Sequence, residues 1–552
     1  MIGLRNRRMF NPYSYIRFGR SITFSLSCQK ISKCIFRLTL FLVGIIFGFS
    51  LYHRTTNMWA LKNLGDSFLL KSVGRRPIVI GAFHRVKSEQ NTAGDYAVMQ
   101  FVGDTRQSHE LYCFSEDVNG GKFSSQAHIQ RIHHGKRAAN DICAWGGHLA
   151  ECQIASVNVM SIRLSSNSKA DEKEMVSVDL EQPLDFGGKK FDLVVCVGAM
   201  YIYTEWQILV TGMETWFALG ASKIVFLIQS ASNDTHLILK EYERSGKVLL
   251  RQWPKWPVLS DINPNGLVLS RGIEEAHVNC LHYVKPVADM VAFTDIDDML
   301  LPNDPSKLSP TVNVEILKGL FNEHPNAGSL LFEHRDVQFS LPDSNEVEST
   351  LANFNFGFLK NTQWKTKCKV WRMKTRVVVN ASRVDTVNMH ETGLHRLGYV
   401  QVRVPCRQAH FYHLRHSYKN IALNEWAINT TNWMSSLNDQ WKLRLNNEFD
   451  PAVVHKNLVK SSVESFADFD KCMIAINDEH FTMKVSRCLT PHVCYSKLTR
   501  NVGCVASHGE YEFVHSRGDY VIVLKNANLK ESDPNCEAPI PKYLSGNHYY
   551  LP

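Results

Sequence analysis

Between Phe191 and Pro254 short apolar runs alternate with amphipathic stretches, and this alternation restricts the fold more than any other feature. FDLVVCVGAM (191–200), ASKIVFLIQS (221–230) and the apolar part of KVLLRQWP (247–254) read as strands buried on both faces. EWQILVTGMETWFAL (205–219) and THLILKEYERSG (235–246) lie between them and read as helices, the second stopping at Gly246. Strand, helix, strand, helix, strand predicts a parallel sheet with right-handed crossovers, an α/β fold. A further helix is expected over 271–285 (RGIEEAHVNCLHYVK), followed by a fourth buried strand, ADMVAFT.

That strand runs straight into Asp295-Ile296-Asp297-Asp298. Alternate side chains on an extended segment point the same way, so Asp295 and Asp297 are expected to face one ligand together. They fall at the carboxyl end of a strand, where open α/β sheets bind ligands. Two hard oxygen donors there suit a divalent cation, Mn²⁺ or Mg²⁺, held with phosphate oxygens. Such a cation neutralises the charge that develops as a diphosphate leaves. Asp298 has a second reading as a cap for the next segment. The same letters also fit the D-x-D strand end of haloacid-dehalogenase-type phosphatases, except that Met299 stands where that pattern wants Thr or Val.

Outside this region the grammar differs. PIVIGAFHRV, YAVMQFVGD, HELYCFSED and SVNVMSIRL are short runs rich in β-branched and aromatic residues, and residues 76–190 are expected to form a β-rich domain. Residues 421–552 contain Cys472, Cys488, Cys494, Cys504 and Cys536 and are expected to be an appendage closed by disulfides.

The N-terminus sets the address. Leu38–Tyr52 carries no charge, and counting back to Cys34 gives 19 residues that include Arg37. About 20 helical residues span a bilayer core, so 34–53 is expected to be a transmembrane signal-anchor. Arg5, Arg7, Arg8, Arg17, Arg20, Lys30, Lys33 and Arg37 precede it or enter it, and no acidic residue occurs before Asp66. The positive-inside rule then keeps 1–33 in the cytosol as a basic tail. It puts a stem (54–75) and the body in the secretory lumen, a type II arrangement. The whole chain has 62 Lys and Arg against 53 Asp and Glu; without those eight, 54 basic residues face 53 acidic ones. A nearly neutral body speaks against a nucleic-acid partner. Twelve of the 14 cysteines fall on the luminal side, an even number that suggests disulfides in an oxidising compartment. Asn233, Asn380 and Asn429 open N-x-[ST] sequons, glycosylation acceptors if exposed there.

Several motifs in order carry a family resemblance: Cys196 near a strand end, Glu205-Trp206 at a helix start, Leu219-Gly220-Ala221 before a strand and Ser230-Ala231-Ser232 after it. Leu239, Tyr242 and Gly246 follow, then a helix with Cys280, then Asp295-Ile296-Asp297. Later come KVWRMKTRVVVNASRVDTVNMHE, ending in His390-Glu391, and HFYHLRH, with His413 and Arg415. Across roughly 190–420 the chain resembles the glycosyltransferase family 92 domain, with Ala199 in place of Pro, Asn279 in place of an acid and Leu414 in place of an aromatic residue. The resemblance implies a GT-A-like nucleotide-diphospho-sugar transferase domain over 191–420 in a Golgi-type membrane protein. It implies a nucleotide-sugar donor (a UDP-hexose, galactose favoured), a glycan hydroxyl as acceptor, dependence on a divalent cation such as Mn²⁺, and inversion at the anomeric carbon. His413 or His390 is then expected as the third metal ligand, Arg415 as a bidentate partner of the diphosphate, and Glu391 or Asp336 as the catalytic base. The rival reading is a non-catalytic glycan-binding protein on the same fold.

Overall fold

The computed structural model describes residues 41–45, 74–85, 94–133, 143–302, 308–338, 350–364, 374–415, 430–458, 471–473, 475–476, 488, 490–495, 502–532, 540–544 and 548–550. Two units divide the chain, Met1–Ser72 and Val73–Pro552. In the first, residues 41–45 are helical. The rest of the anchor expected over 34–53 lies outside the described residues, and among those described no helix is long and apolar enough to cross a membrane.

In the second unit the chain opens with eight strands: β1 (Ile78–His84), β2 (Asp95–Asp104), β3 (Tyr112–Glu116), β4 (Lys122–Gln126), β5 (His128–Arg131), β6 (Trp145–Ile154), β7 (Ser161–Ser165) and β8 (Val176–Asp179). The α/β run follows as expected: β9 (Phe191–Met200), α1 (Trp206–Ala218), β10 (Lys223–Ile228), β11 (Ser230–Ser232), α2 (Asn233–Arg244), β12 (Val248–Gln252), α3 (Ile273–Val284) and β13 (Ala288–Thr294). Then come β14 (Asp298–Pro302), α4 (Val312–Glu323), β15 (Ala327–Gln338), β16 (Gln363–Trp364), β17 (Lys374–Asn380), β18 (Val384–Val387), β19 (Thr392–His395), β20 (Val400–Arg403) and β21 (Ala409–Arg415). The C-terminal part contributes α5 (Thr431–Asn447) and a long hairpin, β22 (Cys504–Ser516) and β23 (Asp519–Ser532).

The larger sheet has the order β12-β10-β9-β13-β17-β15-β21-β14, with β16 and β20 on β15. β12, β10, β9 and β13 are parallel, while β17 is antiparallel to β13. Alternation along β9 explains its unbroken hydrophobicity. Leu193, Val195 and Val197 enter one core with Trp206, Met213 and Trp216 of α1, while Val194 and Cys196 enter the other with Ala276 and Cys280 of α3. Ser232 caps α2, accepting from the Thr235 amide at 3.2 Å. Gly246, expected as a stop, holds φ at 70° just beyond it. Tyr242 joins two helices: its hydroxyl donates to Glu214 of α1 at 2.5 Å, and Arg444 of α5 donates to the same carboxylate at 2.6 Å.

The second sheet has the order β11-β22-β23-β1-β2-β6-β5, and β4-β3-β7-β8 form a smaller one. Residues 421–552, expected as an appendage closed by disulfides, also supply strands to this sheet. β22 and β23 complete the sheet begun by β1 and β2, and Ile78 pairs in register with Ile522. Along β22 buried, half-buried and exposed residues are mixed without a clean alternation, so its own sequence gives little sign of where it docks. Disulfides are present as expected: Cys113–Cys152, Cys143–Cys488, Cys196–Cys280 and Cys472–Cys494, with Cys406 and Cys504 also bonded. Cys196–Cys280 fastens α3 to β9, and Cys143–Cys488 ties the C-terminal part to the start of β6.

Candidate active site

Strand order locates the crevice. From β9 the chain moves outward through β10 and β12, then returns to lay β13 on the other side of β9. The carboxyl ends of β9 and β13 therefore flank a topological switch point, where an open α/β sheet leaves a ligand-sized gap. The Asp295–Asp298 turn stands at the end of β13.

The turn is fixed on every side. The Asp298 amide donates to the Asp295 carbonyl at 3.0 Å, the Leu414 amide to the Asp297 carbonyl at 2.6 Å and the Trp216 indole to the Asp298 carbonyl at 3.0 Å. Gly212 of α1 sits against the Ile296 carbonyl, and any Cβ there would overlap that oxygen. α1 thus presses on the middle of the turn, which leaves its acidic side chains facing away from the helix.

The three aspartates have different surroundings. Asp298, for which a capping role was one reading, is the fully buried hub. Its Oδ1 accepts from His334 Nε2 at 2.6 Å and His413 Nδ1 at 2.5 Å; its Oδ2 accepts from Arg376 Nε at 2.5 Å and Thr294 Oγ1 at 3.0 Å. Burial alone raises this carboxyl, but the Arg376 guanidinium, then His334 and His413, outweigh it and hold the group well below the usual carboxylate range. Burial pushes the His334 imidazole down to about 4 against the opposing pull of Asp298, so it is neutral at physiological pH. Asp295, more than a third exposed, takes the other arm of Arg376 at 2.5 Å. Asp297 is 24% exposed, with Oδ2 3.5 Å from His413 Nε2.

That last contact tests the fit of a metal. An ionised carboxylate only accepts, so His413 carries its proton on Nδ1, toward Asp298. In its neutral form the imidazole would turn a lone pair on Nε2 toward Asp297 Oδ2, 3.5 Å away, and a cation could be shared by the two; in its protonated form it pairs with Asp297 directly. A mixed nitrogen and oxygen pair suits Mn²⁺, and a carboxylate behind the ligating histidine is the usual orienting partner. The residues present fit a divalent cation. Asp298, His334 and His413 also converge within 4.8 Å, but Asp298 Oδ1 already serves two donors and Oδ2 three, one of them the Arg376 cation, so a cation would fit better on the Asp297 side of His413.

Of the other expected residues, His390 and Glu391 lie in the turn between β18 and β19. His390 Nδ1 donates to the Thr375 carbonyl at 3.1 Å, which makes this nitrogen a structural tether. The turn reaches the site indirectly: the Met389 carbonyl accepts from Arg376 at 3.4 Å, and the Met389 amide donates to Glu274 at 3.4 Å. Asp336 pairs in register with His413, and Arg415 with Gln338; the roles expected of those two side chains lie outside the described residues. Among the sequons, Asn233 is exposed at the start of α2, and Asn380 accepts from its own Ser382 hydroxyl at 2.7 Å. Asn429 lies outside the described residues. Trp206, Trp253 and Trp256 are all buried.

Sequence reasoning missed Arg376, His334 and the polar load of α3. This helix is wedged between the two sheets, yet it buries Glu274, Glu275, His277, Asn279 and His282. Glu274 meets His133 at 2.5 Å. Burial pushes the Glu275 carboxyl up to about 8, with the Glu274 charge adding to it, and Glu275 Oε2 has no hydrogen-bond partner. The sign of the linkage follows. A carboxyl raised from 4.5 to about 8 contributes stability that is fully present below 4.5 and is lost as pH rises toward 8, at up to about 1.4 kcal/mol per unit. Glu275→Gln is expected to flatten this slope and raise the urea midpoint at pH 8 relative to the parent; parallel pH profiles of the two proteins would expose the idea as wrong.

Residues 191–459 match the family model for glycosyltransferase family 92. Two Caenorhabditis elegans proteins described as glycosyltransferase family 92 proteins are similar. One is 27% identical over 44% of this chain and 45% of its own length, the other 25% identical over 50% and 49%. The chain spans about half the length of the curated relatives it matches. A solved structure of S. aureus TarS 1-349 in complex with UDP is similar at 14% identity over 38% of this chain and 60% of that one, with a TM-score of 0.20, too loose a likeness to argue from. The match begins at the first residue of β9 and takes in the switch point, the aspartate turn and His413: over residues 191–459 the chain carries a glycosyltransferase family 92 domain.

Proposed function

We infer that the protein is a GT-A-like, cation-dependent glycosyltransferase that moves a hexose, with galactose the first choice by family resemblance, from a UDP-sugar to a glycan hydroxyl. The observation that carries this reading is the Asp297–His413 pair, oriented by buried Asp298 at the switch point of a family 92 domain. A divalent cation bound there would supply positive charge against the departing diphosphate. Asp297 and His413 would hold it; Asp298 accepts from His413 Nδ1 and so sets the aim of that ring. Arg376 bridges Asp298 and Asp295, fixing the first aspartate of the motif at the edge of the crevice. Inversion forms a bond from the acceptor oxygen to the anomeric carbon as the bond to the diphosphate breaks on the opposite face. The acceptor proton passes to a carboxylate, Glu391 or Asp336. The basic N-terminal segment and apolar run, with ten disulfide-bonded cysteines in the body, support a type II protein in a Golgi or other secretory-pathway membrane.

Calorimetry with UDP tests the reading. UDP is expected to bind at least tenfold more tightly with Mn²⁺ than with EDTA, and a screen of UDP- and GDP-hexoses is expected to release UDP. Glycan binding with no response to nucleotide or metal would instead make the protein a non-catalytic glycan binder. Phosphate release from an aryl phosphate would make it a D-x-D phosphatase.

A further inference from the structure

A second cavity, of about 440 Å³, lies where the two large sheets meet, away from the aspartate turn. Its walls come from Gly81 of β1, Arg251 of β12, Asn279 and Tyr283 of α3, Tyr511 of β22 and Lys525 of β23. Asn279 and Tyr283 stand one and two turns further along α3 than Glu275, about 6 and 12 Å along the axis. This is the size of cavity that takes small molecules.

The lining has a specific chemistry. Its charged residues are two cations, Arg251 and Lys525, and two acids, Asp179 and Glu181, so the cavity has no net charge. Arg251 is spent internally: it grips Glu181 through two bonds of 2.8 Å, donates to Asn279 Oδ1 at 3.2 Å and lies 4.0 Å over the Tyr283 ring. Trp253, Trp256, Tyr283 and Tyr511 supply aromatic walls, and Gln252 and Asn526 stand at the rim. Two buried donors in the lining, Asn279 Nδ2 and Trp253 Nε1, have no acceptor, and Asn279 is 2% exposed. Burying such a donor costs about 1–3 kcal/mol until an acceptor reaches it. A charge-balanced hollow with aromatic walls, rim amides and unanswered donors suits a neutral ligand with one apolar face and many hydroxyls. It does not suit a nucleoside diphosphate, whose charge the lining leaves unmatched.

We propose that this cavity is a second carbohydrate site, binding a neutral hexopyranose unit of a glycan independently of the donor crevice. It anchors a glycan on the body of the protein through residues of the N-terminal strands, the family 92 domain and the C-terminal hairpin together.

Saturation-transfer NMR on the full-length chain tests this, with methyl β-galactoside, methyl α-mannoside and methyl β-N-acetylglucosaminide as probes and excess UDP and Mg²⁺ filling the crevice. At least one probe is expected to give ring-proton signals. Those signals are expected to fall at least fivefold in Tyr283→Ala and in the rim variant Gln252→Ala/Asn526→Ala, with UDP affinity unchanged. If Tyr283→Ala does not fold, the rim variant decides alone. No signal from any probe, signals unaltered in the folded variants, or signals abolished by UDP would each overturn the proposal.

Discussion

Asp297→Asn is expected to lower sugar transfer by about 100- to 1,000-fold, the usual cost of losing one group that stabilises developing charge. The fold should persist, because Asp297 is partly exposed and its carbonyl, not its carboxylate, holds the backbone through Leu414. The amide is a poorer oxygen donor and brings no charge, so affinity for UDP with Mn²⁺ should fall while that for UDP in EDTA does not. Asp295→Asn is the informative companion. Asp295 shares Arg376 with Asp298, so its loss leaves that guanidinium half-answered near the crevice. A smaller loss, with weaker metal dependence than Asp297→Asn, is expected there. Parental turnover and metal response in Asp297→Asn would remove it from the metal site.

Asp298→Asn is expected to act on stability first. Its carboxylate has Arg376, His334, His413 and Thr294 around it, all buried. Removing one member of a buried charged set costs about 3–5 kcal/mol, because the partners stay buried without their counter-charge. Denaturant midpoints at pH 7 measure this. The same group sets an acid limit: a depressed carboxyl contributes stability above its unfolded value near 4 and loses it as pH falls through the lower folded value. The difference between the parent and Asp298→Asn should therefore shrink below pH 4. Where the variant still folds, His413 loses its orienting acceptor, so metal affinity should drop about 10- to 100-fold although the ligand itself is intact.

The α/β order and the aspartate pair were legible in the sequence because both are local. Unbroken apolar runs reveal strands buried on two faces, and Asp295 and Asp297 directly follow one such strand. The surroundings of the turn were not legible because no local pattern carries them. Arg376 and His334 come from β17 and β15, which reach the site through antiparallel pairing, with Phe293 opposite Val377 and Phe332 opposite Arg376. Nothing in KTRVVVN separates a buried arginine from a surface one. The hub role of Asp298 was hidden for the same reason: its partners are 36, 78 and 115 residues away. α3 shows the limit most clearly. Nothing in its own sequence marks its glutamates and histidines as buried, and the second sheet that covers them is closed by strands from the far end of the chain. Of the motifs behind the family resemblance, Tyr242 and Ser232 proved architectural, whereas His413 stands beside the aspartates.

The pairing of the first strand with the last long hairpin carries a consequence for synthesis. Arg75 donates to the Asp519 carboxylate, a partner 444 residues downstream. At about 5–20 residues per second, roughly 20–90 s pass between the emergence of the two. For that interval β1 has an unfilled edge, the kind that recruits other strands. Nascent chains stalled before Cys504, or ended there by a stop codon, are expected to stay bound to chaperones even with a complete family 92 domain. Release then reports arrival of the C-terminus, so the last hairpin acts as a checkpoint for the whole body.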